Sequence, residues 1–233
     1  MSALAHLESL LRDRKLDVTL TTSALWKQHG EERAAIGVGA LDAALGGGLP
    51  RGQLSEIVGA RSAGRTTVLC HALAASAARG EAVALVDPSD RFDPGSAAAL
   101  GLDVRRLLWV RGTGDAASAT TALKAMSLIL QAGNFGLIAI DLADVPAPAM
   151  RAFPFTTWLR MARVIEGTQS VALLVGAAHL ARSAGGVTVL LERPADRAHV
   201  AWTGTSHRAR LLSAITLHSR LITARSTNRN VEP

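Results

Sequence analysis

Leu54-Ser-Glu-Ile-Val58, then Gly59-Ala-Arg-Ser-Ala-Gly64-Arg65-Thr66-Thr67, then an apolar run to Ala78, decide how this chain folds. The first five residues read as a short buried strand, the middle as a glycine turn, and Thr66–Ala78 as an apolar helix. A strand, a glycine turn and a helix in the pattern G-x-x-x-x-G-K-[ST] make a phosphate-binding loop. Gly59, Gly64 and Thr66 agree with that pattern, and Arg65 stands where the lysine belongs. Backbone N–H groups at such a turn and the helix N-terminus attract an anion whatever side chain follows. Lysine brings a compact point charge to the terminal phosphates, whereas arginine is a longer planar fork. The loop shape is therefore expected to persist while aligned triphosphate binding weakens. A glycine turn with no ligand is the plainer alternative.

The same alternation continues outward. Ala82–Val86, Leu107–Val110, Gly136–Ile140 and Val171–Val175 read as strands, with helical stretches near 116–131 and 156–166. Strands separated by helices argue for an α/β fold with a mostly parallel sheet covered on both faces. Asp87 and Asp141 end two of these strands, where ligands of open parallel sheets gather. An aspartate at the position of Asp141 holds Mg²⁺ in phosphate-loop enzymes, and a strand-ending cap is its structural alternative. After Gly185-Gly186 the segments Val187–Leu191, Val200–Trp202 and Leu217–Ala224 follow without helices, which predicts an antiparallel extension at one sheet edge. Upstream, Met1–Arg14 reads as an amphipathic helix with a stripe of Leu4, Leu7, Leu10 and Leu11, followed by a polar linker holding Trp26. The division expected is residues 1–35 as a helical arm and linker, and 36–233 as the core with a basic C-terminal segment.

At 233 residues and 48% apolar content the chain can bury a sizeable core and is not a mainly disordered one. A single cysteine, Cys70, excludes a disulfide framework and a cysteine metal cluster and fits a reducing compartment. No apolar run reaches the roughly 18 residues of a membrane span, so the expectation is a cytoplasmic protein without a membrane partner. Lys and Arg total 25 against 19 Asp and Glu, a net charge of +6. Seven arginines against Asp196 and Glu232 place +5 of it after residue 192. Arg208, Arg210, Arg220 and Arg225 in this segment are candidate phosphate contacts, and a solvated charged tail is the equal alternative. The histidines show no metal-ligand spacing, and no metal site is expected.

A family resemblance rests on several of these stretches together. Gly39–Gly52 (GALDAALGGGLPRG), the loop, Leu85–Pro94 (LVDPSDRFDP) and Leu100–Leu108 (LGLDVRRLL) resemble the RecA recombinase core in order and spacing, over about residues 36–192. The short length, the altered loop and the run Arg182–Leu191 are more similar to ImuA, a RecA-like family associated with SOS-induced mutagenesis. Its partners are ImuB and an error-prone replicative-type polymerase. The resemblance implies a catalytic glutamate two residues beyond Asp87, where Ser89 stands. Serine cannot polarise an attacking water as a carboxylate does. It further implies that Asp93 is the adenine-side aspartate and that a base-stacking tyrosine falls at Ser96.

With Arg65, Ser89 and Ser96 altered, the expectation is no hydrolysis, no catalytic residue and at most weak ATP–Mg²⁺ binding through Gly59, Gly64, Arg65, Thr66, Thr67, Asp93 and Asp141. The functional expectation is thus a non-hydrolysing accessory of a translesion synthesis complex, contacting RecA, an ImuB-like protein and the polymerase. The alternative is an active DNA-dependent ATPase of recombination or repair with a variant loop. The resemblance also implies two DNA-facing loops, about 142–154 with Arg151 and 176–186 with His179 and Arg182. Leu4, Leu7, Leu11 and Trp26 of the arm are the candidate partner contacts, with a second copy of the chain, RecA or the protein's own core as their target.

Overall fold

The computed structural model describes residues 32–115, 117–151, 153–181, 186–192, 200–203, 211–215, 218–223 and 226–231. The N-terminal arm with Leu4, Leu7, Leu11 and Trp26, and the arginines Arg182, Arg208, Arg210 and Arg225, lie outside the described residues. The chain divides between Glu32 and Arg33. In the second unit, β1 (Arg33–Ala34) pairs antiparallel with β2 (Leu49–Pro50), and α1 (Gly39–Ala44) lies between them in sequence. Asp42 holds the approach to α1 by accepting from the backbone N–H groups of Ile36 at 2.7 Å and Gly37 at 2.9 Å.

Strand, loop and helix then alternate as the apolar pattern demands. β3 (Gln53–Gly59) leads into α2 (Arg65–Ala78), and β4 (Val83–Asp87) into α3 (Pro94–Ala99). β5 (Leu107–Arg111) precedes α4 (Ser118–Ala132), and β6 (Leu137–Asp141) precedes α5 (Ala147–Arg151) and α6 (Phe155–Ile165). β7 (Val171–Gly176) and β8 (Thr188–Glu192) complete the parallel part. The proline-rich stretch 142–154, expected as a loop, contains the short helix α5.

The remaining strands are β9 (Val200–Thr203), β10 (Leu211–Ile215), β11 (His218–Thr223) and β12 (Ser226–Val231). The main sheet runs β12-β11-β8-β3-β7-β6-β4-β5. Every pairing from β8 to β5 is parallel, and β11 and β12 add antiparallel at the β8 end. The C-terminal extension differs from the sequence expectation in two ways. β8 belongs to the parallel set, and β9 pairs with β10 in a separate ribbon.

Side-chain alternation explains why strands and helices sort into three layers. Val83 and Leu85 of β4, Leu137 and Ala139 of β6, and Val171, Leu173 and Val175 of β7 face a cluster with Val68, Leu69 and Leu73 of α2. Their neighbours Ala84, Val86, Ile138, Ile140, Ala172 and Leu174 face the other way, onto Met126 of α4 and Trp158 and Met161 of α6. A strand buried on both faces must be apolar at every position, and Leu137–Ile140 is. β5, at the edge, is half-buried, and Trp109 packs against the first cluster with its ring 5.3 Å from Phe92, edge to face.

β11 makes the C-terminal segment part of the sheet. It covers the edge of β8, whose Val189 and Leu191 are buried, and Leu221 packs against the same core. A chain ending at Gly204 loses both outer strands and leaves β8 as an open edge. Such a truncation is expected to aggregate, or to melt well below the full chain. A truncated protein melting within about 2 °C of the parent would mean that β11 adds less than about 1 kcal/mol.

Candidate phosphate-loop site

The loop is built by the close approach of two strands and a left-handed glycine. Gly59, the last residue of β3, stands opposite Leu191 of β8, where an added Cβ would lie 2.5 Å from the Leu191 carbonyl oxygen. Gly64 has φ +94° and is the N-cap of α2, with no side chain capping the helix. Its carbonyl accepts from Val68 N–H at 3.0 Å, so the helix is closed from its first turn. The first N–H groups of a helix lack intrahelical partners and carry the positive end of its dipole. Here they open on the loop. Ser62 also sits at positive φ, +64°, which is uncommon for a non-glycine residue.

Arg65 is turned inward, 9% exposed, while Thr66 is exposed and Thr67 half-buried. Its Nη1 is sealed from solvent and has no hydrogen-bond partner among the described residues. An unsatisfied buried donor costs about 1–3 kcal/mol, and more when it is charged. The guanidinium lies close enough to Asp141 to hold down the pKa of its carboxyl. That influence is outweighed. Burial first, then the charges of Asp87 and Asp144, push the Asp141 carboxyl above the usual carboxylate range, against the Ala143 N–H that donates to it at 3.0 Å. Burial, followed by the charges of Asp141 and Asp93, pushes the Cys70 thiol up to about 11. Cys70 is therefore a protonated core residue and no nucleophile.

The other acids around the loop are engaged in local structure. Asp87 is buried and accepts from Phe92 N–H at 2.8 Å, closing the turn after β4. Asp93 caps α3 by accepting from the N–H groups of Gly95 and Ser96, each at 3.1 Å, and from the Ser96 hydroxyl. The Ser96 bonds hold the Asp93 carboxyl below its ordinary pKa. Asp90, next to Ser89, is left-handed at φ +52° and forms a two-bond fork with Arg111, both at 2.8 Å. The Arg111 guanidinium in turn lies 4.6 Å from the Trp109 ring centroid. Asp90 therefore has its oxygens taken by a cation. Among the described residues, no group of three or more His, Cys, Asp or Glu side chains is placed to hold a metal ion.

An uncapped helix end and the glycine turn before it offer backbone donors to an oxyanion. Asp141, the acid expected to hold Mg²⁺, has its pKa raised, by burial first. A separate cavity of about 230 Å³ opens at the ends of β4 and β5, lined by Val86, Pro88, Arg111, Thr113 and Ser118. Neither Gly64 nor Arg65 lines it, so it is not the phosphate loop.

Of the candidate DNA contacts, Arg151 and Arg220 are among the described residues. Arg151 is exposed at the end of α5, after β6. Arg220 lies in β11 with β8, β3 and β7 between it and β6, and it pairs with Glu192 at 3.5 Å. Two residues escaped the sequence reading. Glu56, buried in β3, accepts from Leu180 N–H at 2.9 Å, Ala181 N–H at 2.7 Å and Thr188 Oγ1 at 3.2 Å, and it contacts His179 Nδ1. It pins the segment after β7 to β3 and β8. A lone carboxylate inside an apolar strand was its signal. Arg111 had none, since its partner lies 21 residues away.

A strand–loop–helix with an enclosed glycine turn, in a parallel sheet covered on both faces, defines a phosphate-loop α/β domain. The RecA N-terminal domain family matches residues 21–151, more than half of the chain, and the protein belongs to that family. Protein RecA of Chlorobaculum tepidum is 42% identical over 103 residues, 44% of this chain and 29% of the relative. That of Nostoc punctiforme is 40% identical over 111 residues, covering 47% and 30%. That of Mycobacterium sp. (strain KMS) is 37% identical over 145 residues, covering 55% and 40%. The chain spans well under half the length of these relatives. No helix among the described residues is long and apolar enough to cross a membrane.

Asp141 provides a test of the site's electrostatics. A carboxyl whose pKa is raised by folding adds stability below its unfolded value, about 3.9, and loses it as pH rises through the folded value. At neutral pH the ionised group therefore opposes folding. Asp141→Asn, which keeps an acceptor for Ala143 N–H, is expected to melt above the parent at pH 7, with the gap closing toward pH 4. A gap unchanged by acid would assign the effect to packing.

Proposed function

We propose that this RecA-family chain does not hydrolyse ATP and serves as an accessory of an SOS-induced translesion synthesis complex. One observation carries the first half. At the position where the family resemblance puts the water-polarising glutamate stands Ser89, and the carboxylate next to it in sequence, Asp90, is held by Arg111. A general base must reach its proton within hydrogen-bond distance and be free to accept it. The accessory role rests on the resemblance to ImuA over Arg182–Leu191 and on the altered loop. Its partners in this reading are RecA, an ImuB-like protein and an error-prone polymerase, with DNA bound weakly, through phosphates and without base specificity.

Retention of the glycine loop and of Asp141 favours a second reading, an active DNA-dependent ATPase with a variant loop. Steady-state turnover with single-stranded DNA separates the two. The expected rate is below about 0.01 s⁻¹, far under the usual enzyme range. A faster rate that disappears in Asp141→Ala would establish the ATPase. Pull-down by the full chain is expected to retain RecA or an ImuB-like protein, and loss of both would remove the accessory role.

A further inference from the structure

α4 and α6 lie side by side on the face of the sheet opposite α2, where Met126, Trp158 and Met161 close the core beneath them. Their outer faces keep apolar side chains in solvent. Leu128 of α4, at 66%, is the most exposed large apolar side chain among the described residues, and Phe155 and Leu159 of α6 are 45% and 36% exposed. Phe155 and Leu159 are spaced i, i+4, so they share one ridge of α6, which Arg163 continues. Lys124 precedes Leu128 by the same step on α4.

Charge on these faces has one sign. Lys124, Arg160 and Arg163 are exposed, and neither helix holds an aspartate or glutamate. None of the three has a carboxylate partner among the described residues, whereas Arg51, Arg79, Arg105 and Arg111 each have one. Asp115, before α4, is bonded to Thr113 and Ser118, and Glu166, at the end of α6, is half-buried. Apolar side chains left in solvent beside unpaired cations, on two packed helices, mark a surface that another molecule covers.

Charge also selects the occupant. The chain is net +6, and the segment after residue 192 carries +5 of it, so a second copy or that segment is repelled. The N-terminal arm, with three acids and three bases up to Leu20, offers no excess of acid. A nucleic acid satisfies the cations but gains nothing from Leu128 and Leu159. A helix with an apolar stripe flanked by carboxylates satisfies both kinds of side chain.

We propose that the outer face of α4 and α6 is a docking surface for an acidic amphipathic helix of a protein partner. Leu128, Phe155 and Leu159 anchor its apolar stripe, and Lys124, Arg160 and Arg163 meet the carboxylates beside it. The apolar anchors hold the complex, while the exposed charges steer encounter and exclude basic partners. The proposal rests on the accessory reading for the class of partner, and adds where that partner sits and what it is made of.

Fluorescence anisotropy tests it on the full chain, with a labelled synthetic helix of about 20 residues, Leu along one face and Glu, Gln and Ala elsewhere. The controls are the same peptide with Lys for Glu, the same with Ser for Leu, and a single-stranded oligonucleotide. The acidic peptide is expected to bind in the micromolar range at low salt, and each control peptide about tenfold or more weakly. Leu159→Ser and Arg160→Glu are each expected to weaken it about tenfold while melting with the parent, because both side chains are exposed. Lys124→Glu, on the other helix, is a second charge reversal with the same expected direction. Absence of binding by the acidic peptide, equal binding of the Lys peptide, or unaltered binding by the folded variants would each overturn the proposal. Loss of oligonucleotide binding in these variants with peptide binding intact would also overturn it, by making the face a nucleic-acid surface. A chain that retains RecA or an ImuB-like protein in pull-down but not the peptide refutes the surface and leaves the accessory reading standing.

Discussion

Where β3 ends, there is no room for a side chain. Gly59 faces Leu191 so closely that the backbone of β8 fills the space a Cβ would need. The contact matters because β3 is a central strand of the sheet, parallel to β7 through six residue pairs on one side and to β8 through four on the other. The phosphate loop leaves from this strand. Its position is therefore set by two neighbouring strands and by Val68, Leu69 and Leu73 of α2, which pack under it. Core packing fixes the helix end, and the helix end fixes where an anion can sit. A larger residue at position 59 would push β3 and β8 apart and displace the loop together with the core.

Buried charge is distributed unevenly around that frame. Removing one partner of a deep charge is strongly destabilising, about 3–5 kcal/mol, because the other is left without solvent or counter-charge. Glu56 meets that constraint with four contacts, and in doing so it pulls Leu180 and Ala181 across the sheet. Arg65 does not meet it, since one nitrogen is sealed and unpaired. Both residues sit on the same strand–loop–helix unit, nine positions apart. The contrast locates the loop as the place where local rules are broken, and such breaks collect at functional sites.

The parallel core was legible because buried strands and amphipathic helices leave strong periodic traces. Leu137–Ile140 and Val171–Val175 need apolar residues on both faces, and α2, α4 and α6 fall within a few residues of the helices read from the sequence. The far end of the sheet was less legible. Val187–Leu191 reads as a strand, but whether it runs parallel or antiparallel depends on the long-range partner β3, which no local pattern records. For the candidate site the backbone was readable and the electrostatics were not. The spacing of Gly59, Gly64 and Thr66 predicts a turn and a helix start. It does not reveal that Arg65 is buried, that Asp93 spends its oxygens on α3, or that Arg111 occupies Asp90. Each of those facts comes from tertiary neighbours.

Side chains tie the edge strand β5 to the turn after β4. Asp90 bonds Arg111, Arg111 stacks on Trp109, and Trp109 meets Phe92 edge to face, which closes a ring across β5 and the turn after β4. Asp93 and Ser96 follow immediately in α3. β5 is the edge strand, and its residues are half-buried or exposed, so substitutions there disturb less packing than they would in β3 or β7. The glycine turn, by contrast, leaves from the central strand β3, where Gly59 meets the backbone of β8. Arg65, which follows it at the start of α2, is buried with one nitrogen unpaired, and burial penalises any unpaired charge.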